Sequence, residues 1–412
     1  MTMHSRTKLW FQTSRLWPCL VALAACSSLD SGTPDAASSP GNVDARGSSG
    51  GFSCTTGSLF AGNPLYDTPS DRPPDGTGIR SDPPFPYRTV VFSNGQMITH
   101  DGREIWRANL SDGKLHKLAG TESDSQALVT GPCAGSRFAN IFSLALASDG
   151  SLFVSDHTAN AILKITDPLG SGCTVRHYAG TPVDIAPGDL DPGHPPNVGN
   201  VDGPGAMAKF GLPERMAVDG DDNVYVWDHG NDAIRKIASD TDRTVSTFAP
   251  DISDGGVLLS EVVLGGKLYV YGLASSDVFL TSVDLTTGAK HDLFRGSAEI
   301  FGGGPIDFHI VGGIVTDGVG LILFYKGRLF YVSTDGTVLP ALAGVYGQAL
   351  DFSTGYDPLA PHDAADVEVP ASAGFPATAG AEGFLAIDGG DDLYVTSQFG
   401  GNQYVERVSC AR

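Results

Sequence analysis

The chain has 412 residues, of which 41% are apolar and only 18% charged, with 53 Gly and 26 Pro. That is too apolar for a disordered chain and too rich in turn formers for a helical one. Its 47 acids and 26 bases leave a net charge of −21, so phosphate backbones and anionic headgroups repel it, which argues against nucleic-acid binding.

The first segment reads as an export signal. Arg6, Lys8 and Arg15 precede an apolar run from Leu16 to Ala25, and no acid occurs before Asp30. The run has roughly ten residues, whereas a membrane-spanning helix needs about 20. A positive flank, a short apolar stretch and small residues make a secretory pattern. Leu23-Ala24-Ala25-Cys26 resembles a bacterial lipobox. The resemblance implies cleavage before Cys26 and diacylglycerol on its sulfur. The alternative is ordinary cleavage after Ala24 or Ala25, which leaves Cys26 an unmodified thiol. Residue 27 is Ser rather than Asp, so an inner-membrane retention signal of the enterobacterial kind is missing.

Removing residues 1–25 takes away three bases and no acids, leaving 23 bases and 47 acids, a net of −24. Such a body is repelled by an anionic membrane, so membrane attachment is expected only through the lipid. The following stretch to residue 52 is rich in Ser, Gly, Ala, Pro and Asp, the composition of a flexible tether. The expected organisation is a signal peptide over 1–25, a tether over 26–52 and a folded domain over 53–412. The expected address is exported and lipid-anchored, at the outer membrane, cell surface or periplasm of a bacterium.

Self-comparison of the remainder finds a repeat. Phe138-Ala139-Asn140-Ile141-Phe142-Ser143-Leu144-Ala145-Leu146 aligns without a gap to Phe210-Gly211-Leu212-Pro213-Glu214-Arg215-Met216-Ala217-Val218. Each continues through an Asp-Gly turn into Leu152-Phe153-Val154-Ser155-Asp156 or Val224-Tyr225-Val226-Trp227-Asp228. Then come Ile162-Leu163-Lys164-Ile165 or Ile234-Arg235-Lys236-Ile237, and a closing strand ending in Ala179-Gly180 or Ala249-Pro250. Four short strands in about 40 residues, joined by Asp-Gly turns, are the pattern of a propeller blade.

Both units resemble NHL repeats, through Gly203-Pro204-Gly205-Ala206-Met207-Ala208-Lys209-Phe210, Ala217-Val218-Asp219 and Asn231-Asp232-Ala233-Ile234-Arg235-Lys236-Ile237. A further match covers residues 379–410, with Phe384-Leu385-Ala386-Ile387-Asp388 and Leu393-Tyr394-Val395-Thr396. Strand rhythm alone suggests blades at 87–120, 257–296 and 307–344. The expected fold is all-β: a six-bladed β-propeller of four-stranded antiparallel blades. Residues 54–62 read like a closing strand and are expected to complete the last blade, which removes free sheet edges. Cys54 and Cys410 then face each other across a hairpin, within disulfide reach. Cys133 and Cys173 are the remaining pair, expected nominally at opposite ends of a blade, and are read either as a disulfide or as buried thiols.

Long connections, Thr121 to Arg137, Thr181 to Lys209 and Val345 to Ala379, all fall between blades and so share one face, where binding usually resides. His100, Asp156, His157, Asp228 and His229 follow second strands on that face and are its candidate binding residues. Three His there could serve a metal or acid–base chemistry, although adjacent blades are expected to hold them apart. His309, in Asp307-Phe308-His309-Ile310-Val311, is expected to line the central channel as a hydrogen-bonded core residue. Asp219-Gly220-Asp221-Asp222-Asn223 and Asp388-Gly389-Gly390-Asp391-Asp392 look like calcium loops but lack EF-hand spacing and sit where hairpin turns belong. The acidic loops with Asp184, Asp189, Asp191 and Asp202, and with Asp351, Asp357, Asp363, Asp366 and Glu368, could hold a divalent cation such as calcium weakly. No nucleophile, zincin, phosphate-loop or haem motif occurs, so no catalytic residue and no cofactor is assigned.

The functional expectation is a monomeric, non-catalytic module that presents its loop-rich face to a protein or glycan. The alternative is a six-bladed propeller enzyme resembling metal-dependent lactonases or esterases, or amidating lyases, with a site in the central channel.

Overall fold

The computed structural model describes residues 53–62, 91–110, 115–121, 128–181, 198–274, 277–296, 311–325, 328–343, 362–363, 385–399 and 402–411. All belong to the second of the chain's two compact units, residues 46–412. Residues 1–52, His309, and Asp184, Asp189, Asp191, Asp351, Asp357, Asp366 and Glu368 of the acidic loops lie outside them. Among the described residues, no helix is long and apolar enough to cross a membrane.

Six antiparallel sheets form six blades. Their innermost strands, in chain order, are Val91–Ser93, Ile141–Leu146, Pro213–Val218, Val257–Leu264, Val311–Thr316 and Leu385–Ile387. Each inner strand contacts the next, and the first contacts the last, so the ring is closed. Phe92 and Tyr394 pack with ring centroids 4.5 Å apart across the closing interface. The fold is therefore the six-bladed propeller that the strand rhythm predicts.

The blades pack face to face, so a central strand is buried on both sides. Val224 and Val226 join the cluster shared with blade two, while Tyr225 and Trp227 join the one shared with blade four. This is why Val224-Tyr225-Val226-Trp227 is continuously apolar rather than alternating. Fully burying each such side chain contributes roughly 1.5–3 kcal/mol. The Ala-Gly endings of the outer strands have a steric reason. Gly120 and Gly180 adopt φ of +91° and +97°, and a Cβ there would lie 2.4 Å from the Arg103 carbonyl oxygen and 2.6 Å from that of Asn160. Only glycine fits both demands.

Ser53–Gly62 pairs antiparallel with Asn402–Ala411, placing Cys54 opposite Cys410, and the two sulfurs are bonded. Two departures from the four-stranded pattern occur. His362–Asp363 adds a fifth strand outside Ser53–Gly62, and Gly131–Pro132 adds one outside Thr174–Ala179. The second explains the Cys133–Cys173 disulfide. The connection into blade two doubles back along its outer strand, and the Cys133 N–H donates to the Cys173 carbonyl at 3.1 Å. The two cysteines are therefore adjacent, not at opposite ends of the blade.

The two calcium-like segments are hairpin turns. The Asp219 carboxylate accepts from the Asp221 and Asn223 N–H groups and from the Tyr225 hydroxyl. Asp388 does the same for Gly390, Asp392 and Tyr394. Asp202 is half-exposed and committed to Arg235 and Thr247. Arg235, fully buried, also bonds the Val201 and Lys209 carbonyls and Asp228, pinning the connection over residues 201–209 onto blade three.

Candidate functional site

The inner strands end their sheets, so their unpaired edges face the axis. They enclose a channel cavity of about 340 Å³. Much of its lining is apolar, including Leu144, Ala145, Met216, Ala217, Leu259 and Val262. Because inner-strand side chains alternate between the two neighbouring blade interfaces, as Leu144 and Ala145 do, few are available to point at the axis. Register shifts interrupt the inner strands at Ile141/Ser143, Pro213/Met216, Leu258/Ser260 and Val311/Ile314. Such bulges re-aim side chains, and Arg215 lies within one of them.

Arg215 and Glu261, on blades three and four, are the charged residues of the described lining. Glu261 is only 8% exposed, and neither carboxyl oxygen has a hydrogen-bond partner. Burial pushes its carboxyl up to about 8, against the opposing effects of the Arg215 charge and the Ala217 backbone. The Ala217 backbone polarises it without meeting hydrogen-bond geometry. At neutral pH the group is an uncharged acid facing a cavity, able both to donate and to accept. Arg215 is also buried, with its guanidinium 5.3 Å from the Phe142 ring centroid.

A second cluster joins blades two and three at the end where the inner strands begin. The Glu214 Oε1 atom lies 2.8 Å from His229 Nδ1 and 3.4 Å from His157 Nε2. The Ser155 hydroxyl fixes the Glu214 backbone by donating to its carbonyl at 2.6 Å. His157 stacks on Phe142 and His229 on Trp227. Burial alone would raise the Glu214 carboxyl, but the bonds to His157 and His229 outweigh it and hold the group at about 2. The Glu214 bond in turn raises His229.

The five sequence-level candidates divide sharply. His157 and His229 meet on one carboxylate, although adjacent blades were expected to separate them. His100 is not their equivalent. It pairs with Ile105 as Asp156 pairs with Ala161 and Asp228 with Ala233, so it holds the aspartate position and turns to the other face. It is fully buried, and its Nδ1 accepts from the Gly102 N–H. Asp156 and Asp228 are fully buried too. Asp156 accepts from the Ala139, Asn140 and Ala159 N–H groups, and Asp228 from Gly211, Asn231 and Arg235. Among the described residues, no group of three His, Cys, Asp or Glu is arranged to hold a metal ion.

Sequence reasoning missed Glu214, Arg215 and Glu261. A signal was present: Glu214-Arg215 stands where the sister repeat has Phe142-Ser143, and Glu261 interrupts an otherwise uncharged inner strand. Charge in a strand buried on both faces needs a reason.

Fold and channel define a six-bladed propeller with a polar pair in an otherwise largely apolar axial cavity. No protein-family model and no curated protein matches the chain. Solved structures do match. An auxiliary nutrient binding protein from Bacteroides ovatus ATCC 8483 aligns with a TM-score of 0.53 and 9% identity, over 87% of this chain and 78% of that one. One of the same description from Bacteroides thetaiotaomicron VPI-5482 aligns at 0.53 and 8%, over 87% and 77%. A streptogramin B lyase aligns at 0.44 and 12%, over 86% and 98%. At these identities the first two show a shared fold.

Proposed function

We propose that this protein is an exported, non-catalytic binding propeller that holds a small solute in its central channel. The observation that carries this reading is Glu261, nine-tenths buried, facing a cavity of about 340 Å³ with neither oxygen bonded. Leaving a buried polar group unpaired costs about 1–3 kcal/mol. Packing alone would favour an apolar residue there, and a bound solute supplies the missing partner. The cavity lies at the small end of the range for ligand pockets, so we take a small solute in place of the protein or glycan expected from the sequence. What the two Bacteroides neighbours are described as is consistent with a binding role. The enzyme alternative needs more carboxylate, Asn or His donors than the single carboxylate of the described lining.

Two disulfides support an oxidising compartment, and we propose lipid on Cys26 as the anchor. Cys26→Ala should move the protein from the membrane to the soluble fraction, and an unmodified wild-type mature N-terminus by intact mass would contradict the anchor. The channel reading is tested by a thermal-shift screen of small solutes against wild type and Glu261→Leu. At a hundredfold excess over Kd a ligand stabilises by about 2.7 kcal/mol. A shift seen in wild type and lost in the variant supports the reading. A screen with no solute dependent on Glu261 overturns it.

A further inference from the structure

We propose that the channel ligand is a small zwitterion with an apolar body, of the α-amino-acid class, its ammonium group on Glu261 and its carboxylate on Arg215. This rests on the channel reading and names the ligand. Three observations on different residues converge. Glu261 has two unbonded oxygens facing the cavity. Only a donor satisfies an ionised carboxylate, and an ammonium does so with a charge-assisted bond, about twice as strong as a neutral one. Arg215 brings a fixed positive charge to the same cavity. That charge disfavours a ligand that is purely cationic and favours one that also carries an anionic end. The rest of the lining, with Leu144, Ala145, Met216 and Val262, suits an aliphatic or thioether body, in a volume fit for an amino acid rather than an oligosaccharide.

The protonation state of Glu261 gives the ligand a signature. The inner strand of blade five, Val311–Thr316, brings no charge to Glu261, and that of blade three brings Glu214 and Arg215. The neighbouring strand of its own blade brings only Lys267, at the distal turn, where it pairs with Leu264. Of these, Arg215 is the charge that acts on Glu261. An acid that titrates near 8 is about nine-tenths protonated at pH 7. Seating an ammonium against it expels that proton to solvent, leaving carboxylate on the protein and an intact ammonium on the ligand. Binding at pH 7 therefore releases close to one proton per site, and affinity rises as pH climbs towards 8.

Isothermal titration calorimetry of the purified mature protein, at pH 7 in phosphate and in Tris, reads both effects. Leucine, valine, methionine and phenylalanine are tested singly, beside isocaproate, isoamylamine and glucose. The expected result is binding of at least one amino acid with a buffer-dependent enthalpy equal to about one proton released. Isocaproate and isoamylamine should each bind at least about tenfold more weakly. Glu261→Gln should weaken amino-acid binding about ten- to a hundredfold and abolish proton release. Wild type alone gives an independent readout, a gain in affinity of about fiftyfold between pH 6 and pH 8. Isoamylamine binding as tightly as leucine overturns the zwitterion assignment. Glucose binding in a Glu261-dependent way without proton release also overturns it but leaves the channel reading standing. Failure of the whole panel, together with failure of the wider solute screen, overturns both.

Discussion

Replacing Glu261 by Gln removes an ionisable group from the channel while keeping its shape. In the folded protein burial holds this carboxyl up at about 8 instead of 4.5. The folded state therefore binds a proton more tightly than the unfolded chain, and stability falls as pH rises from about 4.5 to about 8. At about 1.36 kcal/mol per pH unit, that interval corresponds to roughly 5 kcal/mol of destabilisation once pH exceeds 8. Between pH 5 and pH 8 the wild type should lose about 3 kcal/mol relative to Glu261→Gln, which does not titrate. Urea melts of both proteins at pH 5, 6, 7 and 8 measure this directly, because every other titrating group cancels in the difference. The variant should be the more stable at pH 7, an unusual outcome for a buried substitution. A difference between the two proteins that stays flat across this range would refute the claim that Glu261 is buried without a partner.

Three further outcomes follow from the blades and the histidine pair. Deleting residues 1–62 strips the strand that covers Asn402–Ala411 and removes the Cys54–Cys410 bond, which closes a loop of 356 residues worth roughly 5–6 kcal/mol in the loop-entropy model. That fragment should aggregate, whereas deletion of 1–51 should leave a monomer by size-exclusion chromatography. Glu214→Gln should return His229 towards its ordinary value, seen as a downfield-to-upfield ring-proton titration midpoint at lower pH. Because Glu214 holds His229 up, this pair stabilises below that midpoint and loses its effect as pH rises through it. Asp228→Ala leaves the fully buried Arg235 without its 2.8 Å partner and should cost about 3–5 kcal/mol in denaturant melts.

Much of the architecture was legible because a repeat states it twice. The gapless match of Phe138–Leu146 to Phe210–Val218, each followed by an Asp-Gly turn and a second apolar strand, specifies four strands and their order. The turn Asp219 and its bond to Tyr225 recur in Asp388 and Tyr394, so local chemistry and global fold agree. What was not legible depends on which way a side chain faces. His100 looked like a partner of His157 and His229 until strand register put it one residue out of phase. Cys133 looked remote from Cys173 because a connection that doubles back as a fifth strand leaves no periodic signal in two residues. Glu214, Arg215 and Glu261 owe their surroundings to bulges and to neighbouring blades, which a single strand's sequence does not encode.

The most direct test of the account is a co-crystal structure with the solute that the thermal-shift screen selects. The account predicts ligand density on the axis, within hydrogen-bond distance of Glu261 and against the inner strands of blades three and four. Density confined to the outer faces of the propeller, with Glu261 still unbonded, would contradict it.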